Sequence, residues 1–203
     1  MRDEAAETIV LGSTGLRVSA VGVGTNSWGA RGESDPGKRQ TFEDLLTDGV
    51  TLFDTAEIYT RGSSEATIGR CIHESGRTPT ILTKFFPFPW RWTKQAMRAA
   101  LQRSLARLQV PTVDVYLLHF PFPPVSVETW ADALANVVVA GFTRAVGISN
   151  CGPAPDPARA RRPGGPRCPP CVQRGGVQPA ETRAGKLGPR WRLPGARRHP
   201  GRL

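Results

Sequence analysis

"VTLFDTAEIYTRGSSEATIGRCIHESGRTPTILTKF" occupies residues 50–85, and its reading decides the fold. "VTLFDTA" (50–56) reads as a strand carrying Asp54 near its end. "SSEATIGRCIHESG" (63–76) reads as a helix, with Ser63 or Ser64 as its N-cap. "TILTKF" (80–85) is a second strand, with Lys84 at its end. Strand, helix and strand in this order make a right-handed βαβ unit with parallel strands.

The same alternation runs outward from this unit. "TIVLGSTGLRVS" (8–19) carries a hairpin signal, two short strands around Gly12 to Gly15. "AVGVGT" (20–25) is a buried strand, and "KRQTFEDLLTDG" (38–49) is a helix stopped by Gly49. Downstream, Thr93 caps a helix whose Met97, Leu101, Leu105 and Leu108 share one face. "VDVYLLHF" (113–120) is a strand, residues 126–140 are a helix, and "TRAVGISN" (143–150) is a strand.

Five parallel strands with four helices between them allow an open doubly wound sheet or a (β/α)8 barrel. The first strand is not followed by the G-x-G-x-x-G fingerprint of an open-sheet dinucleotide site. Polar residues instead gather at successive strand ends: Asp54, Lys84, His119, Ser149 and Asn150. A barrel builds its active site at that end. The fold class expected is therefore α/β, a partial (β/α)8 TIM barrel with an N-terminal hairpin and about five strands. Without later strands, its inner face would be left uncovered at Val21, Val23, Leu52 or Phe53, Leu82 and Leu117.

The chain has 203 residues and a formal net charge of +10, which on its face points to nucleic acid or an acidic surface. Residues 151–203 hold 12 of the 27 Lys and Arg but only 2 of the 17 Asp and Glu, so residues 1–150 are neutral overall. The last 53 residues also contain 9 Gly and 11 Pro, and very few large aliphatic side chains. Such a composition cannot bury enough apolar surface to offset its ordering entropy. Two parts are expected: a globular region, 1–150, and a basic disordered tail, 151–203. No segment has the length of an apolar span, and "MRDEAAETIV" has acids where a targeting peptide would be basic. The chain has 4 cysteines, which do not form a secreted framework, and a reducing cytoplasm is expected.

The strand-end groups make a coherent chemistry. A tyrosine phenol titrates near ~10, too high for easy proton donation at neutral pH. A neighbouring ammonium stabilises the phenolate, and a carboxylate holds the ammonium in place. Tyr59, Lys84 and Asp54 offer these three groups, and the His119 imidazole can orient a carbonyl. The sum is a general acid aimed at a carbonyl oxygen. Nothing in the set donates hydride, so a nicotinamide cofactor must.

These stretches resemble the aldo/keto reductases. The likeness runs over residues 8–150, through "LGSTGLRVSAVGVGTNSWG" (11–29), "GVTLFDTAEIYTRGSSEATIG" (49–69), "ILTKF" (81–85), "VDVYLLHFP" (113–121) and "AVGISN" (145–150). The resemblance implies reduction of an aldehyde or ketone, a small carbonyl substrate, with hydride from NADPH. It makes Asp54, Tyr59, Lys84 and His119 the catalytic tetrad, with Tyr59 as proton donor. It also implies that Ser149 and Asn150 hold the nicotinamide carboxamide and that Gly24 and Thr25 back the cofactor. Thr60 stands where the family usually has glycine, and Asn26 where an aromatic is frequent. Taken singly, each of these residues has an ordinary reading as a turn, cap or solvated residue. The ordered combination carries the resemblance.

The family continues past the Ser-Asn pair with further βα units, and a full barrel needs about 250 residues. Read one base later, with suitable third bases, "WRLPGARRHPGRL" (191–203) yields a stretch similar to the family's sixth βα unit. A chain truncated and frameshifted after about residue 150 is therefore expected, inactive as it stands. The alternative is a non-catalytic product whose basic tail associates weakly with polyanions. Evolved binding of nucleic acid is not expected, since Trp191 is the only aromatic among the tail's basic residues. No metal is expected either, because the Cys168 and Cys171 pair has no second pair to complete a zinc site.

Overall fold

The computed structural model describes residues 7–12, 14–32 and 34–150. The expectations placed on 151–203 (the disordered tail, the frameshift and the Cys168–Cys171 spacing) lie outside the described residues.

The chain opens with an antiparallel pair, β1 (Thr8–Val10) and β2 (Arg17–Ser19). A five-stranded parallel sheet follows: β3 (Gly22–Gly24), β4 (Leu52–Asp54), β5 (Thr80–Phe85), β6 (Val113–Leu118) and β7 (Thr143–Ile148), paired in chain order. Between them run α1 (Pro36–Thr47), α2 (Ser63–Ser75), α3 (Lys94–Leu108) and α4 (Val127–Val139). Sequential parallel order with a helix in every crossover is the barrel-type winding expected from the sequence, as opposed to a sheet that reverses at a switch point. None of the described helices is long and apolar enough to cross a membrane.

Local chemistry explains the helix ends. Asp35 caps α1 by accepting from the Gly37 amide at 2.9 Å, and Pro36 fills the first turn. The helix therefore starts two residues before the position read from the sequence. Thr93 caps α3 as expected, accepting from Ala96 at 3.0 Å, and Ser126 caps α4. The cap expected for α2 is corrected. Gly62 is the N-cap and provides no side chain, while Ser63 and Ser64 are already inside the helix. The Ser64 hydroxyl turns inward, donating to the Thr25 carbonyl at 2.7 Å and lying 3.0 Å from the Thr55 hydroxyl. Tying two strand ends together satisfies it better than an exposed cap would.

Strand alternation divides the apolar residues between two layers. On the helix side, Phe53, Ile81, Phe85, Tyr116 and Leu118 pack with Phe42, Ile68, Leu101 and Trp130. On the inner side lie Leu52, Leu82, Val115 and Leu117. That inner face is not uncovered, contrary to expectation. Leu16 and Val18 of the hairpin lie over it, leaving Leu52 5%, Leu82 3% and Leu117 1% exposed. Ser19 and Thr51 fasten the cover: the Ser19 amide donates to the Thr51 hydroxyl at 2.9 Å, and the Thr51 amide to the Ser19 hydroxyl at 2.8 Å. Of the residues named for an open face, Val21 is exposed, and Phe53 belongs to the opposite layer.

The helices approach each other closely at one point. A Cβ on Gly69 of α2 would lie 2.3 Å from the Arg107 carbonyl oxygen and 2.6 Å from the Leu108 carbonyl carbon of α3. Both obstacles are backbone, so only glycine allows this approach. Beside it the Glu65 carboxylate, fully buried, accepts from Arg107 at 2.8 and 2.6 Å and from the Thr83 hydroxyl.

Candidate active site

The two-residue strand period carries the inner layer up into the site. Leu52, Leu82 and Leu117 face inward, so Asp54, Lys84 and His119, two residues further on, rise from the same face at the C-terminal end. Register aligns the strands there, pairing Asp54 with Leu82 and Lys84 with Leu117. Tyr59 enters from the turn after β4.

Lys84 is the hub. Its Nζ donates to Asp54 Oδ1 at 2.6 Å, to the Thr55 carbonyl at 2.8 Å and to the Tyr59 hydroxyl at 3.3 Å. Its residue surface is 3% exposed, so the ion pair with Asp54 is little screened by water. The His119 ring stands edge-on to Tyr59, with centroids 5.9 Å apart. All four expected catalytic residues therefore meet at one place.

His119 is buried, and burial is the main cause that lowers its pKa from 6.5 to about 4; the nearby Lys84 ammonium lowers it further, against the pull of Asp54. The imidazole is neutral at neutral pH. The depressed value also has a stability consequence. Below pH 6.5 the unfolded chain binds a proton at this site that the folded chain resists, so stability is lost as pH falls from about 6.5 towards 4. The loss should be on the order of 3 kcal/mol. Denaturant titrations near neutral pH and near pH 4 should find this drop in the parent protein and a smaller one in His119→Gln; equal drops would count against it.

The expected cofactor residues are placed as follows. Ser149 is buried, with its amide donating to the Leu118 carbonyl at 2.8 Å. Asn150 is in the left-handed region, and its Nδ2 donates to the His119 carbonyl at 2.8 Å and to Ser149 Oγ at 3.2 Å. Gly24 is exposed at the end of β3, with open space where a Cβ would be. Thr25 is fully buried, and its hydroxyl donates to the Asp54 carbonyl at 3.0 Å. Its side chain faces the strand ends and does not point outward.

The sequence reading missed Glu57 and Arg91. Glu57 accepts from the Phe86 amide at 2.7 Å and from Arg91 at 2.9 Å through each oxygen. The Arg91 guanidinium also lies 4.5 Å from the Phe85 ring centroid. This pair joins the turn bearing Tyr59 to the loop after β5. The available signal was a lone arginine within "FFPFPWRW" (85–92). That loop supplies Phe86, which stands edge-on to His119, Phe120 and Phe122, so aromatic rings wall one side of the site. The turn itself is unusual: Thr60 (φ 46°, ψ 38°) and Arg61 (φ 58°, ψ 33°) are both left-handed. A non-glycine residue held there costs on the order of 1–3 kcal/mol.

Among the described residues no three His, Cys, Asp or Glu side chains are grouped as a metal ion would require. The geometry is that of a buried ammonium bridging a carboxylate and a phenol, with a neutral imidazole beside them.

The sequence model of the Aldo/keto reductase family matches residues 20–161. The chain is 34% identical over 153 residues to the aldo-keto reductase YhdN of Bacillus subtilis, covering 69% of this chain and 46% of that relative. It is 35% identical over 157 residues to the chloroplastic pyridoxal reductase of Arabidopsis thaliana, covering 68% and 43%. Among solved structures, the thermostable aldo-keto reductase Tm1743, in complex with the inhibitor epalrestat, superposes with a TM-score of 0.64 at 31% identity, covering 72% of this chain and 55% of that one. An aldo-keto reductase from Klebsiella pneumoniae in complex with NADPH gives 0.61 at 30% identity, covering 73% and 51%. The chain spans about half the length of the relatives it matches.

Proposed function

The chain belongs to the aldo/keto reductase family, and on that premise we propose that Asp54, Tyr59, Lys84 and His119 form the proton-donating half of an NADPH-dependent carbonyl reductase. The observation that carries the reading is the Lys84 ammonium, 2.6 Å from the Asp54 carboxylate and 3.3 Å from the Tyr59 hydroxyl. An ammonium at that distance favours the phenolate that remains once the proton has left. Asp54 and the Thr55 carbonyl hold the ammonium in place. The neutral His119 ring can donate a hydrogen bond to a carbonyl oxygen placed between it and Tyr59. The rings of Phe86, Phe120 and Phe122 keep that side of the site apolar.

The described residues suit a nicotinamide. His119 Nδ1 is buried with no hydrogen-bond partner among them, and the Ser149–Asn150 pair joins the His119 backbone. Ser149 and Asn150, a hydroxyl and an amide side by side after β7, offer both donors and acceptors, as an amide-bearing ring requires. Ser149 and Asn150 would hold that ring, with Gly24 leaving room at the end of β3. NADPH, when bound, supplies the hydride. The solved Klebsiella relative binds NADPH, which favours it over NADH here.

We further propose that turnover depends on an in-frame continuation after about residue 150. Its support is compositional: 20 of the 53 residues from 151 to 203 are Gly or Pro. The test compares the 203-residue chain with a version carrying the continuation of the shifted frame. NADPH binding is followed by fluorescence, and its consumption is followed with 4-nitrobenzaldehyde. Consumption by the continued version alone is the expected result. Consumption by the 203-residue chain would refute the dependence on the continuation. Binding and consumption by neither would favour the non-catalytic alternative.

A further inference from the structure

We propose that Thr60 is a positioning residue for Tyr59: its left-handed backbone and its hydroxyl bond to the Trp28 carbonyl hold the turn that keeps the Tyr59 hydroxyl against the Lys84 ammonium. The inference rests on the reading of Tyr59 as the proton donor. It starts from an anomaly. A β-branched residue at φ 46°, ψ 38° is an outlier for L-amino acids, and here Arg61 follows in the same region. Something must hold the turn in that form.

The Thr60 hydroxyl supplies part of the restraint, donating to the Trp28 carbonyl at 2.7 Å. That acceptor is itself fixed. Trp28 is buried, its ring meets Phe53 edge-on at 6.0 Å, and its amide donates to the Thr25 carbonyl at 2.9 Å. The next residue, Gly29, approaches Ser63 so closely that a Cβ would lie 2.7 Å from the Ser63 carbonyl. The loop after β3 thus grips the turn at two adjacent points.

The grip reaches Tyr59 through the backbone. The Tyr59 amide donates to the Ala56 carbonyl at 3.0 Å, the Arg61 amide donates to Ile58 at 3.2 Å, and the Ser63 amide donates to the Tyr59 and Thr60 carbonyls. If Thr60 relaxes to a right-handed conformation, these bonds cannot all persist, and the Tyr59 side chain is carried away from Lys84. Among the described residues, Lys84, Asp54 and His119 are charged or titratable groups around the phenol. The Lys84 ammonium touches the phenol oxygen. A retreat of ~1.5 Å, at an effective dielectric of about 20, weakens that attraction enough to raise the phenol's titration midpoint by about one pH unit.

The chain contains only 2 tyrosines, so the phenol can be read directly, without turnover. Tyr116 is fully buried, and burial holds its phenol well above the ordinary range. In the full chain carrying Tyr116→Phe, the near-ultraviolet phenolate absorbance reports Tyr59 alone. Thr60→Val keeps the shape and removes the hydroxyl. Thr60→Gly removes the hydroxyl while tolerating the left-handed backbone. Thr60→Ser restores the donor. The expected result is a midpoint raised by about one pH unit in Thr60→Val, and near the parent value both in Thr60→Ser, which restores the donor, and in Thr60→Gly, which holds the left-handed backbone without strain. If Thr60→Val does not fold, Thr60→Ala, which also lacks the hydroxyl, takes its place. An unchanged midpoint in Thr60→Val or Thr60→Ala, or an equal rise in Thr60→Ser, overturns the proposal. Lys84→Met in the same background separates the two readings. If it leaves the Tyr59 midpoint unmoved, the pairing of Lys84 with Tyr59 is wrong. If it raises the midpoint and the Thr60 variants do not, only the role of Thr60 fails.

Discussion

Tyr59→Phe is expected to lower the rate of carbonyl reduction about 10²–10⁴-fold, the usual contribution of a positioned general acid, in whichever form of the protein consumes NADPH with an aldehyde. The substitution keeps the ring that lies against His119 and Lys84, with centroid distances of 5.9 and 4.9 Å. Packing and cofactor affinity should therefore change little, and the loss should fall on kcat. Steady-state kinetics with NADPH binding measured separately would check this. A variant that kept more than about a tenth of the parent kcat would exclude Tyr59 as the donor, since one factor of ten is only ~1.4 kcal/mol of barrier.

The second large effect is on stability. Arg107→Met is expected to destabilise the fold by about 3–5 kcal/mol, because it strands a buried carboxylate. The Glu65 side chain is fully buried and that of Arg107 is 28% exposed, so the acid has no route to water when its partner goes. The Thr83 hydroxyl would remain as a donor, but one neutral hydrogen bond does not balance a buried charge. Adding Glu65→Gln should recover a good part of the loss, since a neutral amide leaves no charge unpaired. Urea unfolding of the parent, both single variants and the double variant measures the coupling. A cost below about 1 kcal/mol for Arg107→Met would mean that this contact behaves as a surface pair.

The strand-end chemistry was legible in the sequence because it repeats a short pattern. Asp54, Lys84 and His119 each end or follow a strand, and a parallel sheet brings such ends together whatever the details of packing. The helix boundaries were legible to within about two residues, because caps and stops are local. The cap of α2 was misread for the same reason. Ser63 and Ser64 are good caps by type, but Ser64 is 39 residues from the Thr25 carbonyl that receives its proton. Glu57 and Arg91 were missed because 34 residues separate them, and neither carries a local signature of pairing.

By itself the sequence determined the alternation of strands and helices, the polar residue at each strand end and the family likeness. All of these are written in short-range order: a period of two, a period of 3.6 and the residues that interrupt them. Only the tertiary structure decided which face each strand turns inward. It alone placed the hairpin's Leu16 and Val18 over Leu52, Leu82 and Leu117, and it alone showed that Trp28 grips the turn behind Tyr59. Such contacts join residues about 30 or more positions apart, and several partners of each type were available to them. Which partner is chosen depends on packing and on satisfying every buried polar group at once, and no local stretch of sequence encodes that choice.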